Sequence, residues 1–291
     1  MKKIVFLLIG VALLAVSSGL KAQDNLREVY VREHVPHKNP VPYEYIREAD
    51  VMWSKIVYRM IDLRQKQNLP LYYPTKPIGG RMNFIDLVLW GIDNEGVRAF
   101  STQDPLNEFT AQMTIDQVDE VFDAGTDTTR TTDPTTGQLV TVVVENPRKT
   151  YEVKKLLVKE KWFFDKNHSV MKVRIVGVSP IRVYNREVAD PVTGVLMPTD
   201  EILSKPTFWI YFPEIRPILA NHEVFNRQND SQRISFDDFF MQRRFGSHIF
   251  AMSNVYDNRW NNRYTQGVDA LMEAEKQKEW LFNIEHDLWE Y

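Results

Sequence analysis

The chain has 291 residues, carries a formal net charge of −3 and contains no cysteine. Without cysteine it has no disulfide staple, no thiolate metal nest and no acylated cysteine anchor, so a hydrophobic core must hold it together. A mildly acidic chain without a basic cluster argues against nucleic acid and anionic lipid as main partners, and an aromatic content of 12% supplies material for both a core and contacts.

Lys2 and Lys3 precede an apolar run from Ile4 to Val16, and Leu20 and Ala22 suit the −3 and −1 positions of a signal peptidase site. Cleavage between Ala22 and Gln23 is expected, giving an exported, soluble mature chain, because the apolar run is too short for a stable span. Residues 23–42 read as an extended arm, since Pro36, Pro40 and Pro42 fix φ and disfavour helix before them.

Residues 43–68 predict a helix, with Ile46, Ala49, Trp53, Ile56, Val57, Met60 and Ile61 at three- and four-residue steps. "YYPTKPIGG" reads as a loop. Asn83 is the expected N-cap of a helix through Trp90, Asp104-Pro105 a further helix start, and Thr114 with Gln117 a capping box. The Thr-rich stretch 124–137 offers little to bury and reads as a mobile loop or hairpin tip. From Val140 the chain turns β-rich. Val153 to Phe164 and Val170 to Val178 flank "DKNH", a hairpin signal in which Asn167 tolerates positive φ, and Lys172 and Arg174 are expected to face water. "TFWIYF" is another strand. Ser235 with Asp238 starts a helix expected to close at Gly246, and Gly267 to Tyr291 predicts a long terminal one.

The expected organisation is a signal peptide over 1–22, an arm over 23–42 and one α+β domain over 43–291 built on a central antiparallel sheet. That domain is helical over 43–122, carries the Thr-rich loop over 124–137, is β-rich over 139–212 and helical over 213–291.

Chemistry is hard to find. There is no G-x-S-x-G, no phosphate-cradling glycine loop and no H-E-x-x-H. His34 and His37 sit on a proline-broken arm, His168 in a turn, and His222, His248 and His286 at no paired spacing. Asp116, Asp119, Glu120 and Asp123 read as a solvated surface run. No catalytic, cofactor or metal residue is assigned. In the terminal helix, Trp280, Leu281, Ile284 and Leu288 share one arc of about 100°, whereas Phe282, Trp289 and Leu271 lie roughly opposite. These three are the candidate interface.

The segments "VKEKWFFDKNHSVMKVRIVGVSPI", "FWIYFPEIRPILANHEVFNRQNDSQRISFDDFFMQRRFGSHIFAMSNVYDNR" and "KEWLFNIEHDLWEY" resemble the GldN/PorN family, and the resemblance extends over most of the mature chain. It implies a periplasmic, non-enzymatic subunit of the type IX secretion and gliding machinery of Bacteroidota. It also implies partners: a PorK/GldK-type outer-membrane lipoprotein, the periplasmic part of a PorM/GldM-type motor component, and further copies in a ring. The alternative reading is a periplasmic hydrolase or a glycan- or peptide-binding protein, which would need a pocket with convergent polar groups.

Overall fold

The computed structural model describes residues 37–78, 80–103, 108–132, 139–189, 196–229, 231–256 and 258–289. The signal segment with Ala22 and Gln23, the arm up to residue 36 with His34, and the Asp104-Pro105 start lie outside the described residues. Asn39–Tyr291 form one compact unit. Its elements are, in chain order, β1 (Val51–Asp62), α1 (Leu69–Tyr72), α2 (Phe84–Asn94), β2 (Ala99–Phe100), α3 (Ile115–Val121), β3 (Gly125–Thr132), β4 (Leu139–Asn146), β5 (Val153–Asp165), β6 (Val170–Ala189), β7 (Leu196–Pro206), β8 (Trp209–Tyr211), α4 (Phe212–Asn221), β9 (Glu223–Val224), β10 (Ile234–Ser235), α5 (Phe236–Met241), β11 (His248–Met252) and α6 (Val268–Trp289).

Seven strands make one antiparallel sheet in the order β11-β1-β5-β6-β8-β2, with β7 also on β6. The fold is α+β. The β5–β6 hairpin sits mid-sheet, and its reversal is held by Asp165, whose Oδ1 accepts from the Asn167 N–H at 3.0 Å. The left-handed residue is Ser169 (φ 51°) rather than Asn167. Asn83, Thr114 and Ser235 all cap as expected, each accepting from the N–H three residues on. α2 continues past Gly91 to Asn94, and α5 stops at Met241, short of Gly246.

Three segment assignments are corrected. Residues 51–62 are strand, not helix. Both faces of the sheet are covered at β1: Tyr58 and Met60 enter one cluster with Leu157 and Trp209, while Val57 and Ile61 face the helices. A strand buried on both sides reads as a continuous apolar run, and periodicity alone cannot separate that from a buried helix. Of the two readings of the Thr-rich stretch, the loop fails over its first part and the hairpin fits, because β3 pairs with β4 along its whole length to form a two-stranded ribbon. The region 213–291 is not purely helical either: β9 and β10 pair, and β11 takes the outer edge of the main sheet beside β1.

One sheet face carries the largest cluster, where Phe84, Phe212, Phe236 and Phe240 from α2, α4 and α5 lie over Leu156, Val158 and Ile175. On the other face Phe109 covers Gly177; a Cβ there would come 2.4 Å from the Phe109 ring, so only glycine allows the approach. Arg182 is buried where β6 leaves the main sheet and continues with β7 alone. It binds Glu152 at 2.6 Å, the Val121 carbonyl at 2.8 Å and Asp123, fastening the roots of both ribbons together.

Lys172 and Arg174 do not face open water. Their stretch of β6 has no second strand neighbour among the described residues, and residues 43–44 lie against it instead: Lys172 binds Glu44 at 2.5 Å and Arg174 donates to the Glu44 carbonyl. The Tyr43 ring lies 5.1 Å from the Arg174 guanidinium and 4.4 Å from that of Arg216, which grips Asp237 with two buried hydrogen bonds of 2.8 and 3.0 Å.

Between the cluster under α2, α4 and α5 and the one under α6 sits a fully buried carboxylate, Glu160. Its Oε2 accepts from Arg59 Nε at 3.1 Å and Trp162 Nε1 at 2.9 Å, and Oε1 lies 2.9 Å from Arg243 Nη2. Both guanidiniums also lie over the Trp162 ring. Removing one partner of such a pair strands the other charge away from water, which costs about 3 kcal/mol or more. Glu160→Ala is therefore expected to lower the urea-unfolding free energy by that amount. A loss below about 0.5 kcal/mol, the size of an ordinary surface change, contradicts this role.

Candidate functional site

Three polar clusters are the natural places to look for chemistry. Glu44, Asp165 and His168 bring their ligand atoms within 4.8 Å of one another, the spacing of a cation site. A cation is already there: Lys172 Nζ lies 3.0 Å from Asp165 Oδ2 and 2.5 Å from Glu44 Oε2. The His168 ring nitrogen, 2.6 Å from the same Asp165 oxygen, together with Lys172 holds the Asp165 carboxyl well below the usual carboxylate range. This cluster fastens residue 44 to the hairpin.

In the second cluster Tyr58 donates to Glu108 at 2.6 Å and Lys159 binds the other Glu108 oxygen at 2.5 Å. Burial, then the hydrogen bond to Glu108, push the Tyr58 hydroxyl well above its ordinary pKa, so it stays a proton donor. The adjoining cavity of ≈ 70 Å³, lined by Trp209, Trp260 and Arg263, is well below the roughly 300–1,000 Å³ usual for a small-molecule pocket. The third cluster is the Glu160 group, sealed by its arginines. The carboxylate run also proves more engaged than its surface reading implied, since Asp119 binds Arg148 at 2.5 Å and Asp123 binds Arg182. His222 is satisfied by the Ile218 carbonyl at 2.9 Å and lies against Trp90, and burial holds His248 below its ordinary value.

The open surfaces are different in kind. Among the described side chains of α6 only Ala274 and Leu281 are buried, against Val57, Ile249 and Met252. Of the expected inward stripe, Leu281 is deep, Ile284 and Leu288 are half-buried, and Trp280 leans on Trp53 at 6.2 Å with a face still open. Leu271 and Phe282 are 55% and 68% exposed, and the Trp289 side chain lies outside the described residues. Phe282 borders a groove of ≈ 550 Å³ between α6 and the sheet, floored by Arg59 and Trp162 and rimmed by Glu279 and Glu285.

A second groove, of ≈ 490 Å³, was not visible in the sequence. Its apolar wall is Pro70, then Tyr73 and Ile78 from the stretch read as a loop, joined by Phe225 from far along the chain. The charged groups lining it, Arg81 and Arg227, are both cationic, with Arg81 stacked 6.0 Å from the Phe225 ring. The density of Tyr and Pro in "LPLYYPTKPI" was the available signal, because rings in a short turn-rich stretch have little local core to enter.

The family model of gliding motility associated protein GldN matches residues 46–290. The chain belongs to the GldN family. The matched span of this GldN-family chain runs from before β1 to past the end of α6, so it takes in the sheet, both ribbons and both grooves. No curated protein matches the sequence.

The two neighbouring α6 residues separate packing from surface. Leu281→Ala is expected to cost about 2–5 kcal/mol of stability and Phe282→Ala less than about 0.5 kcal/mol, measured by denaturant unfolding of the isolated chain. Equal losses at the two positions would mean that Phe282 belongs to the core.

Proposed function

We propose that this gliding motility associated chain is a structural, non-enzymatic subunit of a periplasmic ring in the type IX secretion machinery. A PorK/GldK-type lipoprotein holds it at the outer membrane, and the periplasmic part of a PorM/GldM-type component engages it from the motor side. The observation that carries this reading is the family match along nearly the whole compact unit. Two features support it. The buried carboxylates Glu160, Glu108 and Asp165 are each held by internal ion pairs, which makes their clusters fasteners. The open surfaces are apolar grooves and an exposed helix face, the material of protein contacts. No helix among the described residues is long and apolar enough to cross a membrane.

The test is affinity isolation of the tagged chain from the envelope of its native host, followed by mass spectrometry and electron imaging. The expected result is co-isolation with the lipoprotein in closed rings, with the tagged chain starting at Gln23. A chain recovered alone as a monomer with hydrolytic activity contradicts the proposal and favours the periplasmic hydrolase.

A further inference from the structure

Resting on the ring reading, we propose that the Arg81/Arg227 groove of one copy receives the Phe282 face of α6 from a second copy. The two surfaces share no residue and are opposite in character. The groove offers an apolar wall, Tyr73, Ile78 and Phe225 being 53%, 62% and 47% exposed, and two guanidiniums with no carboxylate partner among the described residues. Arg227 spends one donor on the Lys66 carbonyl at 2.6 Å, and Arg81 lies over Phe225, so both heads are already positioned. The helix offers one protruding aromatic ring with Glu279 three residues before it and Glu285 three residues after. Such positions are its neighbours on a helix surface. Neither glutamate has an ion-pair partner among the described residues, whereas Glu275 nearby is taken by Lys278 at 2.8 Å.

An aromatic side chain buries roughly 150–250 Å² when it enters a pocket, and ≈ 490 Å³ accommodates it with its flanking turn. The carboxylates flanking the ring then meet the two guanidiniums that line the groove, whose planar forks bind carboxylates bidentately. This is recognition of an amphipathic helix in a groove. Because donor face and acceptor groove are different patches of the same chain, the contact is head-to-tail. It leaves one free groove and one free helix on every pair, and closes only as a ring. A groove with acidic lining, or a Phe282 already covered, would have pointed elsewhere.

The experiment uses two double variants of the exported chain, Arg81→Glu with Arg227→Glu and Glu279→Arg with Glu285→Arg. Self-association is followed by sedimentation velocity, alone and with the lipoprotein partner, with thermal melting as the check on folding. Each variant alone is expected to melt as wild type and to associate at least about ten-fold more weakly. Mixing the two should restore association, because every groove then finds a helix of opposite charge. Association unchanged in both variants overturns the docking and leaves the ring reading standing. Loss of lipoprotein binding with self-association intact assigns the groove to the lipoprotein and overturns the second-copy assignment. A wild-type chain that never exceeds a monomer, with or without the lipoprotein, overturns both.

Discussion

The structure depends on one buried carboxylate. Glu160 stands opposite Val57 on the central strand pair, where the helical cluster under α2, α4 and α5 gives way to the cluster under α6. It draws Arg59 from β1 and Arg243 from the turn after α5 to one point, and Trp162 lies beneath both guanidiniums. Arg243 reaches it from a left-handed conformation (φ 52°). The same turn is pinned a few residues later by Asn68, which donates to the Gly246 carbonyl at 2.9 Å and accepts from the Gly246 N–H at 2.8 Å. An unpaired charge at this depth would be costly, so the order of the turn, the strand pair and the tryptophan is tied together. The seat of α6 follows, since Trp162 borders the groove that Phe282 overhangs.

Other charged side chains repeat the pattern at the margins. Arg182 gathers Asp123 and Glu152 at the ribbon roots, Arg216 grips Asp237 between α4 and α5, and Lys172 with Asp165 and Glu44 secures the free edge of β6. A chain without disulfides uses ion pairs and aromatic stacking to connect elements distant in sequence. The same economy leaves few polar groups with spare valence inside, and the chemistry available to a partner is concentrated on the outside.

What the sequence revealed depended on how local the cause was. Caps at Asn83, Thr114 and Ser235, the hairpin at Asp165 and the long α6 are set by residues within four positions of one another, and all were legible. The strand at Val51–Asp62 was not, because its two apolar faces arise from what covers the sheet on each side, which is information carried by Trp209, Leu281 and α4. The richness of that stretch in Val, Trp, Ile and Tyr was the counter-signal. β11 was hidden for the same reason: five residues between a helix and a loop acquire meaning only beside β1. That Phe282 and Leu271 point away from the core was legible because helical phase is local. The Arg81/Arg227 groove was not, since Phe225 joins Tyr73 and Ile78 only through the fold.

On the proposed reading, this GldN-family chain works by assembling through surfaces set on an internally paired body. The most direct measurement is hydrogen exchange of the chain, free and within the isolated assembly. The account expects new protection over residues 73–81 and 279–286 on assembly, with β5 and β6 equally slow in both states. New protection confined to β5 and β6, with residues 73–81 and 279–286 unchanged, would contradict it.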